Sequence, residues 1–311
     1  MVKITTHTMS IHNKSLALLL LIWPTSQTIA GEMEISATLS SVESSIPIDA
    51  PSFNLTSGFN IILNYNNTPT TSQAAAFSAA KTVWESHLVG YLDTVSNNNI
   101  TIDVNLTSID GVGGTLGSAG PTAVKFGSEN NFIYALSGEM TFDTADTDDL
   151  ETAGTFGDVV AHEMGHVLGL GTLWSSSAVN IPGYQELYID DSGEYTGSSA
   201  LAQWQTEFGQ TNATFVPVEL AGGPGTANGH WDEVDGGGGL TGITQSGTGK
   251  DLRDEIMTGW LSGSTYISNM TIAQFEDIGY QVVLNGSPVP EPSTYILCAL
   301  GLPLLLSRRH R

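Results

Sequence analysis

Cysteine is almost missing from this sequence: 311 residues hold one, Cys298. No internal disulfide can form, so the fold rests on burial, and with 40% hydrophobic residues the chain can build a core. Basic residues are scarce as well. Nine Lys and Arg stand against 32 Asp and Glu, a formal net charge of −23, which argues against nucleic acid and anionic membranes as partners. Long apolar runs are also missing. Leu16–Trp23 and Tyr295–Leu306, near the two ends, both fall short of the roughly 20 residues a bilayer-spanning helix needs. Histidine is rare enough, at seven residues, that each can be weighed in turn.

What is present is concentrated in one pentapeptide, His162-Glu163-Met164-Gly165-His166, inside the apolar run Val159 to Leu170. Histidines four apart on a helix project from one face, so both imidazoles reach one Zn²⁺, and the glutamate between them points at activated water. That pattern is a peptide-hydrolysis site. A catalytic zinc takes three protein ligands and leaves a fourth position open, so a third donor is required. His7 and His12 lie in an expected leader and His310 in an expected tail signal. His87 falls on a helix expected over Ser72 to Leu92, where Phe77, Ala80, Trp84, Leu88 and Tyr91 recur at helical spacing, and it reads as a flank of that packed face. His230, after the Gly-rich stretch Ala221 to Gly225, is the favoured third ligand, because the backbone there can bend back toward the metal. Glu186, paired with Asp190, is the alternative, although Pro182-Gly183 and the helix stop at Gly169 weigh against a second ligand-bearing helix.

Four motifs in order carry a family resemblance: His162 to Gly169, Gly171-Thr172-Leu173-Trp174, His230-Trp231-Asp232-Glu233, and Asp254-Glu255-Ile256-Met257-Thr258-Gly259. Together with Asp110 to Gly117 and Met140 to Asp143, they resemble the leishmanolysin family of metzincin proteases, over about Phe59 to Val283. The resemblance implies a zinc endopeptidase in which His162, His166 and His230 hold one Zn²⁺, Glu163 is general base, and Met257 forms a turn beneath the metal. A soft, gap-filling methionine suits that place. The chain departs from the cysteine-rich eukaryotic members. No thiol stands upstream of His162 in this sequence, so latency through a propeptide cysteine on the zinc is excluded.

The patterning gives an α+β fold. Phe59, Ile61, Leu63 and Tyr65 alternate with polar residues, as do Ile100, Ile102, Val104 and Leu106, and the helix between them makes a strand, helix, strand crossover. Short strands are expected near Phe132 to Leu136 and Met140 to Phe142, followed by a site helix capped by Thr155 with Asp158. Beyond Gly169 regular structure is expected to thin until a short helix opened by Thr271 and Gln274 and closed by Gly279. The expected architecture is a zincin/metzincin-type subdomain over 52–169, with a sheet, a backing helix and the active-site helix. A loop-rich subdomain over 170–286 follows, with the substrate cleft between the two.

Both ends read as addresses. Lys14, the apolar run after it and Thr28-Ile29-Ala30 give a signal peptide over 1–30, with 31–51 a linker or short pro-segment. Residues 287–311, with Val289-Pro290-Glu291-Pro292, an apolar stretch and Arg308-Arg309-His310-Arg311, resemble the PEP-CTERM sorting signal of Gram-negative bacteria. That resemblance implies exosortase-type processing, transient membrane contact through this segment, and delivery outside the cell or to its surface. Removing both ends leaves Lys81, Lys125, Lys250 and Arg253 against all but one of the 32 acids, a net charge of about −27. The acidic cluster Asp143, Asp146, Asp148 and Asp149 is a lesser expectation for Ca²⁺. Protein or peptide substrates follow from the site. The competing function is a surface matrix or adhesion protein on a protease-like scaffold that no longer cuts, against which the full set of site residues weighs.

Overall fold

The computed structural model describes residues 2–3, 34–35, 58–95, 97–127, 129–130, 132–175, 186–233, 239–263 and 265–285. In chain order the elements are β1 (Val2–Lys3), β2 (Glu34–Ile35), β3 (Asn60–Tyr65), α1 (Thr71–His87), β4 (Leu88–Tyr91), β5 (Asn99–Thr107), β6 (Gly117–Phe126) and β7 (Ile133–Asp143). There follow α2 (Thr147–Ala153), α3 (Phe156–Leu168), β8 (Glu194–Tyr195), α4 (Ser198–Glu207), β9 (Val216–Pro217), β10 (Trp260–Leu261), α5 (Asn269–Asp277) and β11 (Tyr280–Val282). This is a mixed α+β fold, as the patterning predicts.

The main sheet runs β2-β6-β7-β5-β3. Strands β3, β5 and β7 are parallel and β6 is antiparallel to β7. In β5 the alternation is literal, with Ile100, Ile102 and Val104 buried. Helix α1 makes the crossover from β3 to β5, opened by a capping box in which Thr70 Oγ1 accepts from Gln73 N and Thr70 N donates to Gln73 Oε1. Its buried side, Phe77, Ala80 and Trp84, packs toward α3, where Trp84 Nε1 donates to Ala161 O at 2.9 Å.

Several boundaries differ from the sequence expectation. Helix α1 stops at His87 instead of Leu92, because Leu88–Tyr91 pairs antiparallel with β11 and Val89-Gly90 is poor helix sequence. The two short strands expected near Phe132 and Met140 are the single strand β7. Thr155 precedes α3 but makes no side-chain cap. Helix α5 is capped by Ser268, whose Oγ accepts from Thr271 N at 3.1 Å, and not by Thr271. Thr271 and Gln274 are engaged elsewhere, with Glu255 and Trp174. Helix α4 lies where the sequence pattern predicts that regular structure thins. Its first turn is held from a distance by Asp277, which accepts from Ser199 N and Ala200 N at 2.7 and 3.0 Å.

Helix α3 is the centre of the molecule, with every residue from Val159 to Leu168 buried. It stops at Gly169, whose φ of 122° is closed to a side-chain-bearing residue. Among the described residues no helix is long and apolar enough to cross a membrane. The expected leader run, the 31–51 linker apart from β2, and the 287–311 signal lie outside the described residues.

Candidate metal centre

The four-residue spacing on α3 stacks His162 over His166, with their Nε2 atoms 3.0 Å apart. His230 arrives from the far segment, and its Nε2 lies 3.1 Å from each of them. The approach is made by a short ladder rather than by a flexible hinge. Glu219 N donates to His230 O at 3.0 Å, Val218 bridges Trp231, and Trp231 N donates to Met257 O at 3.1 Å. Gly171, with φ +70°, lets the chain leaving α3 press against this segment. A Cβ there would sit 2.3 Å from Gly229 O. Among the described residues, His162, His166 and His230 form the cluster that can hold a metal ion.

Each imidazole is oriented from behind by a backbone carbonyl. His162 Nδ1 donates to Ile256 O at 2.6 Å, His166 Nδ1 to Leu170 O at 2.8 Å, and His230 Nδ1 to Thr226 O at 2.8 Å. A carbonyl accepts only, so the proton of each neutral ring sits on Nδ1 and the Nε2 atoms present lone pairs. Burial, with the neighbouring His230 ring, pushes His162 down to about 3, and burial holds His166 well below the ordinary imidazole range. Three lone pairs facing one another at 3.0–3.1 Å repel unless a cation lies between them. The donor set, three neutral imidazoles, fits zinc.

Glu163 is fully buried and neither carboxylate oxygen has a hydrogen-bond partner among the described residues. Burial drives its acidity well down, raising the carboxyl far above the usual range. The first residue of β6 lies against it, since a Cβ on Gly117 would be 2.8 Å from Glu163 Oε1. Met257, also buried, lies against α3 at Gly165. All three histidines and Glu163 are fully buried.

The remaining candidates fall elsewhere. Glu186, the alternative ligand, is exposed and outside the histidine cluster. His87 ends α1 and donates from Nδ1 to Val283 O at 2.9 Å. The calcium expectation finds no support among the described residues. Asp143 accepts from the amides of Asp110, Gly111 and Ala145, each at 2.9 Å, and Asp146 accepts from Gly113 N at 2.7 Å. Asp148 and Asp149 are exposed. These inner carboxylates tie down the loop that leads into Gly117 through their bonds to backbone amides. The three carbonyls behind the histidines carried no sequence signal, because any residue supplies one. Glu255 was visible in the sequence only as part of the Met257 motif.

Two comparisons bear on this geometry. The leishmanolysin family model matches residues 135–286, a stretch holding all three histidines, Glu163 and Met257. A leishmanolysin homolog from Crithidia fasciculata is 26% identical over 127 residues, 39% of this chain and 16% of that protein. The chain therefore spans under a fifth of the length of the curated relative it matches. Both findings support the leishmanolysin family and, with it, a metallopeptidase.

Proposed function

We propose that the chain is a zinc-dependent metalloendopeptidase of the leishmanolysin kind. In this reading His162, His166 and His230 hold the metal, Glu163 is the general base and Met257 forms the floor. The observation that supports it most is the meeting of three Nδ1-protonated imidazoles at one point, beside a buried carboxylate with no partner among the described residues. When bound, zinc supplies Lewis acidity for a substrate carbonyl and acidifies water near neutral pH. Glu163 takes the proton of the attacking water as its oxygen bonds to the peptide carbonyl carbon. It then returns that proton to the amine nitrogen as the C–N bond breaks. Its dry surroundings favour holding a proton between those two events. The three backbone carbonyls keep the rings in the tautomer and orientation that ligation requires.

The reading extends to the whole chain as an exported enzyme. Residues 1–30 serve as signal peptide, 52–286 as protease domain and 287–311 as a sorting signal processed by exosortase-type machinery, with delivery to the surface or exterior of a Gram-negative cell. Substrates are proteins or peptides. The deciding experiment measures zinc per chain and casein cleavage, with and without a chelator, for the native protein and Glu163→Gln. The variant is expected to keep one zinc and lose about 10²- to 10⁴-fold in turnover. Undiminished cleavage by the variant overturns the assigned base. Bound zinc without cleavage by the native protein favours the adhesion scaffold.

A further inference from the structure

One buried carboxylate stands behind two of the three histidines at once. Glu255 is 1% exposed. Its Oε2 accepts from Met257 N at 2.7 Å. Its Oε1 accepts from Ser268 N at 3.0 Å, Ser268 Oγ at 2.9 Å and Thr271 Oγ1 at 2.6 Å. The first bond closes the turn whose Ile256 carbonyl takes the His162 Nδ1 proton. On the other side, Trp231 Nε1 donates to Thr271 Oγ1 at 2.8 Å, and Trp231 follows His230 directly. Trp231 N in turn donates to Met257 O, so the two branches rejoin.

An ionised carboxylate only accepts, so the two hydroxyls facing Glu255 donate to it. Thr271 Oγ1 also accepts from Trp231 Nε1, and Ser268 Oγ from Thr271 N, which holds both hydroxyls in place. With two backbone amides added, four donors converge on one side chain, and only a group that accepts at both oxygens satisfies them. An amide at this place would point its NH₂ at a donor on whichever side it faced.

From this arrangement we propose that Glu255 is a positioning residue for the metal centre, holding His162 through the Ile256-Met257 turn and His230 through Thr271 and Trp231. The assignment rests on the metallopeptidase reading and adds to it the part that fixes the mutual placement of ligands from two distant segments. Misplacing either imidazole weakens metal binding, because groups that orient ligands typically change metal affinity 10- to 100-fold.

The test uses the full chain purified with zinc, in native form and as Glu255→Gln and Thr271→Val. Zinc affinity is read by competition with a chelating indicator, and ligand geometry by the absorption bands of the cobalt-substituted protein. Glu255→Gln is expected to weaken zinc binding about 10- to 100-fold and shift the cobalt bands, and Thr271→Val to do the same to a smaller degree. Turnover should fall with KM little changed. A merely structural role would lower the melting temperature while leaving zinc affinity and the cobalt spectrum at native values, and that result overturns the proposal. Where Glu255→Gln does not fold, Thr271→Val decides alone. Native protein that binds no zinc sinks the metallopeptidase reading, and this one with it; native binding with unchanged variants sinks this one only.

Discussion

Gly165 and Met257 are packed so closely that a Cβ on Gly165 would lie 2.9 Å from the methionine Sδ and 3.1 Å from its Cε. The glycine between the two helical histidines is thus what lets the turn from the far segment press up against α3. The same added carbon would meet Trp84 Cζ2 at 3.1 Å, so the clash has a rigid partner on one side and a flexible one on the other. Gly165→Ala is expected to cost about 1–3 kcal/mol, the usual range for overpacking a filled core. Met257→Leu, which keeps the volume, should cost less than about 1.5 kcal/mol. Urea denaturation of the two variants checks the order, and equal losses would show that the contact yields.

Gly117 and Gly171 stand at two other close approaches, and their alanine variants should fail differently. At Gly117 the obstacle is the end of a side chain, Glu163 Oε1 at 2.8 Å, which can swing aside. Gly117→Ala should therefore retain zinc and lose cleavage, by about tenfold or more for a displaced general base. At Gly171 the obstacle is the backbone carbonyl of Gly229, and the φ of +70° is itself costly for alanine. Gly171→Ala should push the His230 segment away and lower zinc content. Metal analysis beside a casein assay separates the two, and zinc loss from Gly117→Ala would contradict the assigned contact.

Legibility in the sequence followed the range of the forces involved. The β3-α1-β5 crossover could be read because Ile100, Ile102 and Val104 alternate and Phe77, Ala80 and Trp84 repeat, both local consequences of burial. The end of α1 could not, since Leu88–Tyr91 becomes strand only by pairing with Tyr280–Val282 from the other end of the domain. Helix α4 escaped for a similar reason. Its first-turn amides are satisfied by Asp277, about 80 residues on, so no local cap announces it. The capping pattern at Thr271 and Gln274 misled because tertiary partners, Glu255 and Trp174, claim both side chains. In the site, the helical pair and His230 were legible as candidates through histidine scarcity, and the structure brings their Nε2 atoms together. The orienting carbonyls of Ile256, Leu170 and Thr226 were not, because the backbone has no letter code.

Aromatic packing around the third histidine gives a further expectation. Trp231 stacks on Trp174 with ring centroids 5.0 Å apart, and its indole N–H is bonded to Thr271. Trp231→Phe would keep much of the ring contact while leaving the Thr271 hydroxyl without its donor. A loss of about 1–3 kcal/mol is expected for the altered buried pairing. Thermal melting checks it, and a variant as stable as the native protein would show that the indole N–H contributes little.

Glu233 should make stability fall with rising pH. Burial, then the nearby Glu219 carboxylate, pushes its carboxyl from the ordinary 4.5 up to about 8. Its folded-state pKa therefore lies above the unfolded value, and between pH 4.5 and 8 the folded chain binds the extra proton. Stability linked to that proton is fully present below about pH 4.5, declines as pH rises and is gone above about pH 8. Glu233→Gln replaces the acid with a neutral group of nearly the same shape. The variant should match the native protein at pH 5 and exceed it at pH 9 by on the order of 4 kcal/mol, since each of the three pH units between 5 and about 8 is worth about 1.36 kcal/mol. Urea denaturation of the chelator-treated protein at the two pH values keeps metal linkage out of the comparison. A difference between variant and native protein that stays constant from pH 5 to pH 9 would mean that Glu233 ionises as an ordinary carboxylate.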